Sequence, residues 1–370
     1  MKQLYFLSFL IIFLSCNDNK NNTSTPDNND FAQHFHIQHN NNYDLLEIDE
    51  AWPGGKNLTY ILSKTPHKIP DSLQKYPIIK LPLKRLILTS TTYLPALEML
   101  QETEKLIAFP HTEYISSPSF RKRVEENKII EIGSGIQLNT EKVLTLQTQL
   151  IMAFSSGQDQ SNYQIFQQNN IPVIYNADWM EKTPLGRAEW LKVFGLLFDK
   201  EKEAERIFNQ IKTNYLQIKQ KIKTKKEKPT VFQGGLFGDK WFVPGGKSYA
   251  AQLIKDAGGN YLWNNDTQQG SLKLNYENVL LKLPQANVWL NPGMANNKTN
   301  LLEEIPQLNN FKSYQTNRIY TYNLKKGKTG GVLYFEQATA HPDWVLSDLY
   351  HIFYPSKSEN YTFHFYNRLP

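Results

Sequence analysis

The sequence predicts an α/β fold with two similar parallel-sheet lobes, joined by one long α-helix, and a ligand cleft between the lobes. Three observations support this architecture. Short apolar strands alternate with helical segments in both halves of the chain, which is typical of parallel strands linked by crossover helices. A single long amphipathic helix separates the two alternating regions. A seven-residue motif occurs once in each region.

The first residues are typical of a secretory signal. Met1-Lys2-Gln3 is basic, and the segment 4–14 is almost entirely apolar but too short to span a bilayer. It ends at Ser15-Cys16, and Cys16 is the only cysteine. This arrangement resembles a bacterial lipoprotein cleavage site, although Phe13 stands where leucine is usual. We expect a signal peptide over residues 1–16 that ends at a lipidated Cys16; a buried or spare cysteine is the alternative.

Composition limits the classes of partner. Residues 17–40 begin with a run of Asn, Asp, Thr and Ser that cannot fill a core, so we expect them to form a flexible tether. The formal net charge of +6 is modest for 370 residues, and no basic stripe is interleaved with aromatic residues, which argues against nucleic-acid binding. No later apolar run is long enough to cross a membrane, so we expect membrane attachment through the lipid only.

The elements of the first lobe, expected over residues 41–198, follow in order. Residues 41–80 form an extra segment with alternating stretches, which indicates an added β-hairpin or strand. A polar start signal with a proline precedes a helix at residues 94–100. Strands are expected at 84–89, 106–109, 150–154 and 171–175, with a helix at 158–168.

A connecting helix is expected over residues 199–226. Ala204, Phe208, Ile211, Tyr215 and Ile222 follow one another, with Ile218, at alternating spacings of three and four, which indicates a one-sided helical stripe. Acidic residues crowd its start and lysines its end, as the helix dipole favours. The segment 199–222 would be about 36 Å long. A rigid connector of this kind predicts small opening motions of the cleft.

The second lobe is expected over residues 227–370. Strands are predicted at 230–233, 288–290 and 319–322, and helices at 248–257 and 344–353. The repeated motif then ties the two lobes together: L-N-x-E-x-V-L occurs at 138–144 and again at 274–280, each time before a buried strand.

Several stretches together resemble a known family. Residues 183–204, 244–249 and 257–260, in this order, are similar to periplasmic binding proteins of ABC importers for iron–siderophores, haem and cobalamin. The resemblance runs from about residue 85 to 355. One departure is the segment 31–80, which shorter members of the family lack.

The resemblance implies a function and a set of partners. A member of this family is not an enzyme and needs no cofactor; it is a monomer that captures a small metal chelate and delivers it to a dimeric permease. Glu141 and Glu277, one in each motif copy, would be the carboxylates that dock on the permease, and arginine partners suit such a role. The expected location is the periplasm or cell surface, with the lipid on Cys16 in a bacterial membrane. A surface capture lipoprotein that works with an outer-membrane receptor, or a two-lobed enzyme, remains an alternative.

Ligands of α/β lobes bind beyond the carboxyl ends of the strands, which selects candidate contacts. Aromatic side chains suit a flat or hydrophobic chelate, and hydroxyl groups can orient it. The candidates are Thr91, Tyr93, Phe109, His111, Ser155, Phe237, Trp241, Phe335 and Glu336. His111 and Tyr93 could also ligate a metal or haem iron. Arg121, Arg123 and Lys247 are possible contacts for an anionic siderophore, so ferric siderophore, haem and cobalamin all stay open. His34, His36 and His39 form a cluster that we expect to bind metal weakly or incidentally.

Overall fold

The structure is a computed structural model that describes residues 25–27, 29–134, 137–158, 161–356 and 360–370. Cys16 and the expected signal peptide lie outside these residues. Within them, no helix combines the length and the apolar character that a membrane span requires.

An N-terminal β unit precedes the first lobe. Its sheet has five strands, in spatial order Thr25–Asp27, Phe35–His39, Asp44–Ile48, Leu58–Ser63 and Ile78–Lys80. The first four strands run antiparallel to their neighbours and the last is parallel to the fourth. The structure therefore differs from the expected tether over residues 25–27 and 29–40, which belong to this folded unit. The extra β segment expected at 41–80 lies in the same sheet.

The N-terminal lobe is built on a parallel sheet. Its five strands, in spatial order, are Val173–Tyr175, Leu150–Ala153, Leu86–Leu88, Leu106–Phe109 and Ile130–Glu131. A short antiparallel ribbon pairs Gly133–Ser134 with Gln137–Leu138. The helices of the lobe are Leu94–Met99, Pro118–Glu125, Thr140–Thr145, Ser161–Gln168, Pro184–Glu189 and Leu191–Phe198. The three central strands are fully buried, because helices cover both faces of a parallel sheet.

The connecting helix spans Glu201–Lys223, which lies within the expected 199–226. The apolar face of the helix is buried at Ala204, Phe208, Ile211, Tyr215 and Ile222. Ala204 belongs to the hydrophobic core of the N-terminal lobe, whereas the other four belong to a core of the C-terminal lobe. At 23 residues the helix is about 35 Å long. It joins the two lobes by packing into both cores.

The C-terminal lobe repeats the parallel-sheet design. Its main sheet has the spatial order Asn260–Tyr261, Thr230–Gln233, Val288–Leu290, Ile319–Thr321 and Asn367–Arg368, and only the last strand is antiparallel to its neighbour. A second, antiparallel sheet contains Gly235–Phe237, Lys240–Pro244 and Ser271–Asn275. The helices are Tyr249–Asp256, Tyr276–Leu280, Lys298–Glu304, Lys312–Gln315, Leu333–Gln337 and Pro342–Phe353.

Buried carboxylates hold the N-terminal extension in place. Glu189 is fully buried and accepts hydrogen bonds from the backbone N–H groups of residues 30, 31 and 32, at 2.9, 2.8 and 2.8 Å. Glu181 accepts from the N–H groups of residues 33 and 34 and from the indole of Trp190. Lys192 balances the charge of Glu189, with Nζ 2.9 Å from the carboxylate. Charge-assisted bonds of this kind are stronger than neutral ones.

The C-terminal extension is held by the same device. Asp348 in the last helix is fully buried and accepts from the N–H groups of residues 364, 365 and 366, at 2.9, 2.7 and 3.0 Å. The hydroxyl of Tyr361 also donates to it, at 2.7 Å. Residues 30–34 at one end of the chain and residues 364–366 at the other are therefore both held by carboxylates that the lobes bury.

We predict that Glu189→Gln lowers the free energy of unfolding by about 3 kcal/mol, because the amide NH₂ group would face backbone donors inside a buried site. The change should also expose residues 29–48 to proteolysis. Denaturant unfolding and limited proteolysis measure the two effects. Glu205→Gln, at an exposed position on the connecting helix, is the matched control and should change neither. Equal stability of the two variants would contradict the proposed clamp.

Candidate ligand site between the lobes

A large cleft lies where the carboxyl ends of the strands of both lobes meet. Its main cavity has a volume of about 1130 Å³. The C-terminal lobe contributes residues directly after three parallel strands, at 234–237, 291–294 and 322–323, and the N-terminal lobe contributes Thr92 and the segment 179–182. This position is the one expected for ligands of open α/β sheets.

A second, smaller cavity of about 420 Å³ lies against the N-terminal lobe. It is lined by residues that follow three strands of that lobe, at 89–91, 109–111 and 154. Val332 and Phe335 line both cavities. The two cavities are therefore neighbouring chambers of one cleft.

Residues 325–337 of the C-terminal lobe form an interlobe segment that reaches across to the N-terminal lobe. The buried carboxylate of Glu336 accepts from the backbone N–H of Ser116 at 2.6 Å. Lys328 Nζ lies 2.6 Å from Glu125. Gly331 packs so closely on the other lobe that an added Cβ would lie 2.5 Å from the hydroxyl of Ser116. These contacts hold the two lobes together on one side of the cleft.

The main cavity is lined by four cationic side chains: Lys182, Arg187, Lys247 and Lys326. Arg187 is oriented by two carbonyl groups, since Nη2 donates to the oxygen of Trp179 at 2.8 Å and Nε donates to that of Glu181 at 3.4 Å. Its guanidinium also stacks on the ring of Tyr249 from the other lobe, 4.0 Å from the ring centroid. Such a fixed, planar cation suits a carboxylate or another anionic group.

Three buried donors in the cavity wall have no protein partner among the residues that the structure describes. They are the indole N–H of Trp179, the hydroxyl of Tyr249 and the side-chain NH₂ of Asn291. Burial raises the pKa of Tyr249 to about 12, so this hydroxyl stays protonated near neutral pH. Buried polar groups are rarely left unsatisfied, so all three are available to a ligand or to water. With Arg187, they form a group of donors that points to an acidic or oxygen-rich ligand.

Six of the nine ligand contacts expected from the sequence line the cleft. Thr91, Phe109, His111 and Glu336 line the smaller cavity, Phe237 lines the main one, and Phe335 lines both. Phe237 and Phe335 are 50% and 57% exposed, so these rings are open to a ligand. Glu336 is buried and engaged with Ser116, which leaves it a structural role between the lobes.

The other three expected contacts lie elsewhere. Tyr93 and Trp241 are buried in the hydrophobic cores of their lobes, and Trp241 packs edge-on against Phe232 at 5.5 Å. Ser155 is only 1% exposed. Trp241 lies within the strand Lys240–Pro244, whose residues alternate between buried and exposed, and Tyr93 lies in a turn beyond the first strand of its lobe. The side chains of all three residues are buried, so the sequence correctly located the strand ends but not the direction of these side chains.

His111 has the geometry of an oriented imidazole. Its backbone is left-handed, with φ of 51°, and its Nδ1 lies 2.9 Å from the carboxylate of Glu113. A carboxylate on one ring nitrogen is the usual arrangement around a metal-binding histidine, where the other nitrogen serves as ligand. The structure therefore permits His111, but not Tyr93, to contact a bound chelate.

The cations at the cleft were mostly missed by the sequence analysis. Arg121 and Arg123 donate to backbone carbonyls of their own lobe and line neither cavity, whereas Lys247 does line the main one. Arg187 lies inside a recognised stretch, yet its place in the cleft depends on the packing of its helix, Pro184–Glu189, against both lobes. His34, His36 and His39 each pair with a carboxylate or carbonyl of the β unit, and no metal-binding group of three occurs among the described residues.

The repeated motif occupies matching places in the two lobes. Glu141 and Glu277 are both exposed and both lie in the first turn of a short helix that leads to a central strand. The motif valines, Val143 and Val279, are both fully buried beneath these helices. In each sheet the following strand is hydrogen-bonded to the first strand of the lobe, Leu86–Leu88 or Thr230–Gln233.

Comparisons with known proteins are consistent with this geometry. The sequence model of the family described as periplasmic binding proteins matches residues 86–324. An uncharacterized lipoprotein of Methanocaldococcus jannaschii is 26% identical over 300 residues, which cover 79% of this chain and 70% of that protein.

Solved structures show the same fold at low sequence identity. A periplasmic haem-binding protein from Pseudomonas aeruginosa is 15% identical, with a TM-score of 0.59, over 78% of this chain and 98% of that one. A possible iron-binding, periplasmic solute-binding protein from Staphylococcus epidermidis is 15% identical, with a TM-score of 0.57, over 73% and 98% of the two chains.

Asp178 gives a testable pH dependence at the lobe boundary. It is 6% exposed, and burial raises the pKa of its carboxyl to about 6, against a smaller opposing effect of Arg187. The folded state thus holds a proton that the unfolded state releases near pH 4, so the stability that this group contributes is lost as pH rises from about 4 to about 6.

We predict that Asp178→Asn stabilises the protein at pH 7.5 by up to about 3 kcal/mol, with no difference below about pH 4. Denaturant unfolding across this range, with the exposed Asp71→Asn as control, measures it; a pH-independent difference would contradict the assignment.

Proposed function

Since the chain belongs to the periplasmic binding protein family, whose members bind solutes rather than catalyse reactions, we propose that it is the substrate-binding lipoprotein of an ABC importer. It captures a metal chelate and delivers it to the permease. The observation that carries this proposal is a cavity of about 1130 Å³ at the junction of two lobes, lined from both sides by cations and aromatic rings.

The size and lining of the cavity favour a large, partly apolar ligand. Typical small-molecule sites have volumes of about 300–1,000 Å³, so the main cavity of about 1130 Å³ is slightly larger than this range even without its smaller neighbour. Exposed Phe237, Met294 and Phe335 supply apolar contact area in its wall. A ferric siderophore, haem or cobalamin each combines a broad apolar body with polar edges and would suit this lining.

The charge of the cavity favours a ligand with acidic groups. Lys182, Arg187, Lys247 and Lys326 face a space that is also lined by the unpaired donors of Trp179 and Tyr249. A carboxylate or chelating oxygen next to Arg187 would satisfy donors that are otherwise desolvated without a partner. Haem and many ferric siderophores carry such groups. The solved structures with this fold include proteins described as haem-binding and iron-binding.

We also propose that the smaller cavity receives the metal-proximal part of the chelate. Phe109 and Phe335 line it with His111, whose Nδ1 is held by Glu113. This arrangement leaves Nε2 as the nitrogen that would contact the metal or its ligands. Thr91 lies in the same wall and would orient the chelate through its hydroxyl.

The membrane attachment proposed from the sequence is a lipid on Cys16. Residues 17–24 would then be the tether, shorter than the sequence suggested, because the strand Thr25–Asp27 and the chain from residue 29 onward belong to the folded β unit. The related protein of Methanocaldococcus jannaschii is described as a lipoprotein. A monomer on a short tether would stay close to a membrane permease.

Docking on the permease is proposed for Glu141 and Glu277. They are exposed, they have matching environments in the two lobes, and neither lines the cavities or forms an ion pair among the described residues. Two equivalent carboxylates, one per lobe, are complementary to a permease with two equivalent basic sites. Paired contacts of this kind set the register of a complex.

We predict that the purified protein binds at least one of haemin, ferrioxamine B and cyanocobalamin with a dissociation constant of about 1 μM or lower. Each probe has characteristic absorption bands, so a spectroscopic titration measures binding and stoichiometry directly. One site per chain is expected. Absence of binding for all three probes would contradict the proposed ligand class.

We predict that Glu141→Ala with Glu277→Ala abolishes uptake of the bound chelate into cells while its affinity for the purified protein stays unchanged, because the carboxylates contact the permease only. Uptake of radiolabelled metal chelate and titration of the purified variant measure the two effects. Glu126→Ala with Glu303→Ala, which removes one exposed carboxylate from each lobe, is the matched control. Full uptake by the double variant would rule out this docking role.

A further inference from the structure

We propose that the turn at residues 50–55 of the N-terminal β unit forms a wall of the ligand cleft, and that Glu50 in this turn selects among chelates by their charge. This inference rests on the function proposed above and adds a specificity element that lies outside the residues matched by the family, 86–324.

The turn reaches the main cavity although it belongs to a sheet that is separate from the parallel sheets of both lobes. Glu50 and Pro53 line the cavity together with the neighbouring segment 179–182. Both residues are exposed in the structure, so neither side chain is engaged in the core of the β unit. They are available to a ligand that fills the main cavity.

The turn is rigid, as the wall of a selective site must be. Trp52 anchors it and is only 9% exposed; its ring meets Tyr175 of the N-terminal lobe edge-on, at 5.2 Å between ring centroids. Gly55 and Gly157 lie against the indole so closely that an added Cβ would approach it to 2.8 and 2.7 Å. Such a fit leaves the indole no room to shift towards either glycine.

Glu50 itself is held by the turn. Its backbone is left-handed, with φ of 49°, and its Oε1 accepts a hydrogen bond from the N–H of Gly54 at 2.8 Å. The second carboxylate oxygen has no hydrogen bond among the described residues. The carboxylate therefore has a defined position at the edge of the cavity, and its Oε2 can accept a hydrogen bond from a ligand.

The β unit that carries the turn is also fixed to the N-terminal lobe, through residues 30–35. Glu189 and Glu181 bind five successive backbone N–H groups at the start of the β unit. Phe35 packs edge-on against Trp190, at 4.9 Å between ring centroids. The β unit and the lobe share one hydrophobic core, so the turn moves with the lobe rather than as a flap.

The charge of Glu50 determines what the wall favours. Among the described residues, four cations line the cavity, and Glu181 is the one other carboxylate in its lining; it is buried and occupied by backbone donors. Glu50 therefore lowers the affinity for acidic groups at its edge of the cavity and raises the affinity for a cationic group there. A neutral ligand would be affected by the shape of the wall but not by its charge.

The experiment compares the wild-type full-length protein with matched pairs of variants against haemin, ferrioxamine B and cyanocobalamin. Pro53→Trp adds bulk to the wall, and Pro70→Trp adds the same bulk at an exposed position of the β unit away from the cleft. Glu50→Gln removes the charge, and Glu47→Gln removes an exposed charge from a neighbouring strand. Thermal melting confirms that each variant is folded.

Whichever probe binds the wild-type protein, Pro53→Trp should weaken its binding at least fivefold, and Pro70→Trp should leave it within twofold. Glu50→Gln should change affinity about fivefold, in a direction set by the charge of the probe. It should strengthen binding of anionic haemin, weaken binding of ferrioxamine B, whose pendant amine is cationic, and leave cyanocobalamin unchanged. Glu47→Gln should have no effect on any of them.

The outcomes separate this inference from the proposed function. If the wild-type protein binds a probe and Pro53→Trp binds it as tightly as Pro70→Trp does, the wall is overturned while the proposed function stands. If Glu50→Gln shifts the affinity of a charged probe in the opposite direction, or not at all, the charge selection is overturned. If the wild-type protein binds none of the probes, both the proposed function and the role of the turn as a wall of the ligand site are contradicted.

Discussion

The geometry of the cleft depends on one helix whose apolar side is shared by two hydrophobic cores. Ala204 near its start packs into the N-terminal lobe, and Phe208, Ile211, Tyr215 and Ile222 pack into the C-terminal lobe. Gly195 allows the close approach at the first end, since an added Cβ would lie 2.5 Å from that of Ala204. A helix held in this way at both ends cannot bend without breaking core contacts. The distance between the lobes is therefore set by packing, and large hinge motions are not expected.

Buried polar groups, together with the connecting helix, stabilise the arrangement of the lobes and of the chain extensions. Buried carboxylates tie each chain extension to its own lobe, and the interlobe segment ties the lobes to one another through Glu336 and Lys328. The cations of the cleft lie beside buried donors that have no partner among the described residues. Arg187, Trp179 and Tyr249 point to a ligand with acidic or oxygen-rich groups.

Much of the scaffold could be predicted from the sequence. Strands composed of apolar residues, such as Leu106–Phe109 and Val288–Leu290, have the bounds expected from their composition. The connecting helix starts two residues later and ends three residues earlier than the expected 199–226. The β unit was partly mistaken for tether because the strand Phe35–His39 is polar at three of five positions. The residues just before this strand are held by carboxylates that lie about 150 residues away in sequence, which no local pattern reveals.

The site was less predictable than the scaffold. Strand ends identify where a ligand lies, but they do not say which aromatic residue faces it, so Phe237 and Trp241 were equal candidates although only the first lines the cleft. Arg187 and Glu50 reach the cavity from a helix and from a turn of the added β unit. Their positions follow from tertiary packing, which no local sequence pattern encodes.

The central claim is that the cleft between the lobes is where the metal chelate binds. A crystal structure of the protein with its bound chelate, with diffraction recorded at the absorption edge of the iron or cobalt, tests this directly. We expect one anomalous peak per chain inside the cleft, within the space bounded by Arg187, His111 and Phe335. A peak elsewhere on the surface, for example beside His36 and His39 of the β unit, would contradict it.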